Sequence, residues 1–127
     1  MTRKLFLTSV SAVGFTVAAV ALALPASLLA SKGVTPDAPV VVWLRELGVL
    51  ILALSVMGMA VRGEPDSRAL RMILVANAIV HAGLFPIEIA GYLSGTLTQL
   101  SGIVPNSIFH VLAAAGFAYF AIAMKAR

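Results

Sequence analysis

The chain has no cysteine, which removes disulfides, thiolate nucleophiles and thiolate metal sites in one step. Charge is scarce too: only 11% of the 127 residues are Asp, Glu, Lys or Arg, and four long stretches are almost free of it. A soluble domain is excluded, because 61% hydrophobic residues and a mean hydropathy of +1.04 lie far outside that class. The chain reads as an integral membrane protein. Its net charge of +4 sits almost wholly at the ends of the apolar segments, where it reports topology. Nucleic acid is therefore not an expected partner.

The first apolar run, Leu5 to Ala30, follows Arg3 and Lys4. It is longer than the roughly 7 to 15 residues of a signal-peptide core and meets the span of about 20 that crosses a bilayer, so it is read as a retained transmembrane helix. A second helix is expected over 38–61, with Thr35-Pro36-Asp37 as its capping segment and Pro39 in its first turn. Gly63, Pro65 and the capping candidates Asp66 and Ser67 lead into a third helix over 68–93. The uncharged stretch 94–105 reads as an exposed loop, and Asn106 or Ser107 caps a fourth helix over 106–124. The expected fold is all-α: one domain over 1–127, a four-helix up-down-up-down bundle. Arg3, Lys4, Arg62, Arg68, Arg71, Lys125 and Arg127 fall on one side of it and Lys32 alone in the loops of the other. Both termini are then cytoplasmic, N-in and C-in.

Against this apolar background stand Arg45, Glu46, His81, Glu88 and His110. An ionisable side chain at mid-bilayer costs roughly 2.5 to 3.5 kcal/mol on insertion scales, so their clustering marks a site. With the expected helix ends, Arg45 and Glu46 lie about 8 to 10 Å below the outer end of their helix, Glu88 about 8 Å and His110 about 6 Å, one shared layer. His81 falls about 20 Å down, outside it. Asn77, His81 and Glu88 share one stripe of the third helix, as Asn106 and His110 share one of the fourth.

Glu88 and His110 are the expected proton-handling, catalytic pair, with Arg45, Glu46, Asn106, Asn77 and His81 as ligand-binding candidates. Each has a plainer reading. Arg45 can pair with Glu88 or Glu46 and staple helices together, or snorkel to headgroups. His81 can bond the Ala82 carbonyl that Pro86 leaves without its usual partner, and Asn77 can serve as an interhelical hydrogen-bonding residue. No metal or cofactor is expected. An arginine in a Glu46, Glu88 and His110 layer repels a cation, and the unequal depths of His81 and His110 disfavour bis-histidine haem.

Arg45-Glu46-x-Gly48, Pro86-x-Glu88 and His110, in a chain of four-helix length, resemble the small DoxX-like bacterial membrane proteins over about residues 38–125. The resemblance implies a multi-pass protein of the bacterial inner membrane and makes an oxidoreductase partner conceivable. The leading functional reading is binding, with acid–base conversion as an extension, of an amphipathic small molecule such as a quinone, isoprenoid or sterol-like lipid in the outer half of the bundle. Arg45 would hold its polar group. The alternatives are an accessory subunit of a membrane redox complex and an oligomeric proton-coupled transporter. Small residues such as Gly14, Gly58 and Ala114 permit close helix approach and leave a homo-oligomer open.

Overall fold

Prolines and capping residues decide where the helices begin and break. In the computed structural model, which describes residues 1–124, there are five α-helices and, among the described residues, no strand: α1 (Arg3–Ala23), α2 (Pro25–Ser31), α3 (Ala38–Val61), α4 (Arg68–Leu93) and α5 (Leu100–Ala123). Lys125 and Arg127, two of the cations behind the expected orientation, lie outside the described residues. All but α2 are long and apolar enough to cross a membrane, the make-up of a multi-pass membrane protein.

Three starts are set by side-chain caps. Thr2 accepts from the Leu5 amide, Asp37 from Val40 and Ser67 from Leu70. The bounds of α3 and α4 are those expected from the sequence. Two others differ. The first run is broken at Leu24, whose backbone leaves the helical region (φ −131°, ψ 49°). The cause is Pro25, which lacks an amide to continue the ladder and disfavours helical geometry in the residue before it. The fourth long helix begins at Leu100, not at 106. Pro105 lies inside α5, where it removes one backbone donor without ending the helix. The loop is thereby cut to residues 94–99. Gly95, at φ +75°, takes the left-handed turn that closes α4, and the Leu97 amide reaches back to the Gly91 carbonyl at 3.0 Å.

The chain divides after Gly63 into two compact units. In the first, α1 packs on α3, with α2 against both. Ser11 faces Gly58, Gly14 faces Ser55 and Ala21 faces Gly48, so numbers rise on one helix as they fall on the other. The pair is antiparallel, and its seam is made of small residues. In lipid, where no hydrophobic force draws helices together, such close approach is what holds them.

In the second unit α4 packs on α5. Arg71, one turn into α4, donates from Nη2 to the Met124 carbonyl at 2.7 Å, capping the far end of α5. Leu70, Leu74 and Asn77 of α4 are buried, as are Ile103, Ser107, Ala113, Phe117 and Ala121 of α5. This seam is therefore built from larger side chains than the small-residue seam of the first unit, and it is more polar.

Candidate functional site

Polar residues enter the α4/α5 seam at two levels. Glu88, one and a half turns before the end of α4, is 6% exposed. Asn106 Nδ2 donates to both its oxygens, at 3.0 Å to Oε1 and 3.1 Å to Oε2, and Ser107 Oγ donates to Oε2 at 2.7 Å. Two neighbouring residues of α5 thus cradle one carboxylate of α4. Consecutive residues point 100° apart on a helix, so both reach Glu88 only because it sits above the groove between them.

About two turns deeper along α4, His81 meets His110. Their Nδ1 atoms are 2.8 Å apart, so one ring donates and the other accepts. Phe117 stacks on His81 with ring centroids 5.6 Å apart and 13° between planes, and Phe109 meets it edge-on at 5.5 Å. The expected depth difference between the two histidines does not hold. It came from starting the last helix at 106. Measured from Leu93 and Leu100, His81 lies about 18 Å and His110 about 15 Å along their helices, close enough to meet. His81 was expected to bond the Ala82 carbonyl freed by Pro86; its ring nitrogen instead goes to His110.

Asn77, the third polar residue of the α4 stripe, is buried and donates to the Ile73 carbonyl at 2.9 Å, within its own helix. Arg45 and Glu46 belong to the first unit and are exposed on α3. Arg45 Nε donates to the Leu22 carbonyl at 3.4 Å, and the break at Leu24–Pro25 explains that acceptor: carbonyls at the end of α1 have lost their helical donors. The contact is long and exposed. Arg45→Met is accordingly expected to change the unfolding midpoint in detergent little, by less than about 1 kcal/mol; a loss of several would assign Arg45 a larger role.

The sequence reading singled out Glu88 and His110 as a pair, with Asn106 and His81 beside them, and gave Ser107 only a capping role; in the structure Glu88 accepts from Asn106 and Ser107, and His110 meets His81. Ile103, Ser107, His110, Phe117 and Ala121 form a regular helical stripe, and that signal was visible once Leu100 is taken as the start. Among the described residues no group of three or more His, Cys, Asp or Glu side chains is placed to hold a metal ion.

An apolar groove of about 400 Å³ runs along one side of the same helix pair, lined by Phe85, Ile89 and Tyr92 of α4 and by residues of α5 including Leu100, Val104 and Ile108. Ser107 is part of its wall. The serine that holds Glu88 therefore also borders a space suited to a hydrocarbon body. No family model, curated protein or solved structure matches the chain, so the site is read from its own geometry.

Proposed function

We propose that the α4/α5 unit binds an amphipathic small molecule of the quinone, isoprenoid or sterol-like class. Its hydrocarbon body lies in the groove and its polar head at Ser107 and Glu88. The observation that carries this is the double role of Ser107, at once a groove-wall residue and a donor to a buried carboxylate. Asn106 and Ser107 orient the Glu88 carboxyl group, which then serves as the proton-exchanging group of any conversion of the head. With both termini cytoplasmic, as the cation asymmetry of the sequence implies, the head lies in the outer half of the bilayer. Binding alone satisfies the geometry; turnover is an extension of it.

The test is photolabelling of the protein in nanodiscs with a diazirine-bearing isoprenoid alcohol. Adducts are expected to concentrate on Val104, Ile108 and their groove neighbours, and Val104→Trp, which fills the groove, should reduce labelling about tenfold, equivalent to a loss of about 1.4 kcal/mol in binding. Labelling spread evenly over the exposed faces of α1, α3, α4 and α5, and indifferent to Val104→Trp, would overturn the reading.

A further inference from the structure

The His81–His110 pair takes no part in that groove. Its two imidazoles come from separate helices of one unit, turn their Nδ1 atoms on each other at 2.8 Å and lie between aromatic rings. As a hydrogen bond alone the arrangement contributes little, since interhelical hydrogen bonds within membranes average about 0.6 kcal/mol. Two opposed imidazole nitrogens are also a ligand set.

The number of ligands selects the ion. Structural zinc takes four protein ligands and catalytic zinc three, while calcium and magnesium require several oxygens. Among the described residues no third His, Cys, Asp or Glu completes a set here. Monovalent copper is the biological ion that two neutral donors satisfy: it is d¹⁰, accepts linear two-coordination and binds imidazole. We propose that His81 and His110 form a two-coordinate site for Cu(I).

The geometry needs a small adjustment. Metal–imidazole bonds of about 2 Å place two collinear nitrogens roughly 4 Å apart, so the rings part by about 1 Å on binding. The proton accounting closes without release. The ring that donates from Nδ1 moves its proton to Nε2, the accepting ring already carries its proton there, and both Nδ1 lone pairs then face the metal. A single positive charge at this depth is costly in hydrocarbon. The stacked face of Phe117 offsets part of that cost through cation–π attraction, and the aromatic walls exclude water that would favour divalent ions.

The experiment uses untagged protein in detergent, handled anaerobically, and titrated with Cu(I) against the chromophoric chelator bicinchoninate. One copper per chain is expected. His81→Phe and His110→Phe should each weaken binding by more than the roughly 10- to 100-fold typical of losing a supporting contact around a metal. Ser107→Ala, which alters the groove and Glu88, should leave copper binding unchanged, so the fate of this site is separable from that of the lipid site. X-ray absorption on the copper-loaded wild-type protein should report two nitrogen neighbours in linear array, a readout independent of whether the phenylalanine variants fold. Absence of copper retention by the wild-type chain, retention by both phenylalanine variants, or three or more ligands in the absorption spectrum would each overturn the proposal.

Discussion

Replacing Asn106 by leucine and Ser107 by alanine together is expected to destabilise the protein by about 4 kcal/mol, because hydrogen bonds to a charged acceptor contribute roughly 1.5 to 3 kcal/mol each. Ser107→Ala removes only a hydroxyl, and Asn106→Leu keeps the number and branching of heavy atoms although its methyl groups are bulkier, so the chief loss is of donors to Glu88. That carboxylate is 6% exposed. The expected loss exceeds the 0.6 kcal/mol or so of an average interhelical bond in a membrane because the group that loses two donors is a buried acid and not an amide. The sharper expectation is reversal. Adding Glu88→Leu to the double variant should recover most of the lost stability, since a polar cluster replaced whole by apolar groups of similar shape is often neutral. Equilibrium unfolding in mixed micelles decides it. A triple variant no more stable than the double would mean that the carboxylate was never the liability, and that the Asn106 and Ser107 side chains hold the seam by packing.

How far the sequence discloses this arrangement depends on which signals are local. Asp37 and Ser67 cap their helices through contacts three residues away, and α3 and α4 are accordingly found at the limits their sequences imply. Proline misleads because its effect depends on context. Pro25 ends a helix through its effect on Leu24, whereas Pro105 sits within α5 and ends nothing. Taking the uncharged stretch up to Pro105 as a loop moved the start of the last helix by six residues, about 9 Å of rise, and so separated His110 from His81 in depth. Within a stripe the sequence is reliable: Asn77, His81 and Glu88 do share one face of α4, and Asn106 and His110 both reach it from α5. Which stripe meets which helix is a tertiary fact, and depth alone carries no information about it. Within the first unit Arg45 donates to the carbonyl of Leu22, and within the second Glu88 accepts from Asn106 and Ser107.

Leucine at Gly48 is expected to cost about 3 kcal/mol, the upper range for overpacking a tight interface, and to separate α1 from α3. A Cβ there would lie 3.1 Å from the Ala21 Cβ and 3.1 Å from the Leu22 Cγ. Ala21 is 0% exposed, and a methyl group attached directly to the backbone cannot rotate away, so the helix itself must move. The same seam is close at Gly58, where an added Cβ would approach the Ser11 hydroxyl to 2.6 Å, although a hydroxyl can turn aside. Gly48→Leu should therefore be worse than Gly58→Ala. Gly83 supplies the internal control: it is also helical and exposed, but nothing lies within 4 Å of a Cβ built on it. There, replacement by alanine relieves the conformational freedom of glycine and should stabilise the protein by about 0.4 to 1 kcal/mol. Opposite signs at Gly48 and Gly83, read from melting in the same detergent, separate contact from helix propensity. Equal effects at the two sites would show that close approach does not hold α1 to α3, and that larger side chains elsewhere on these helices carry the packing.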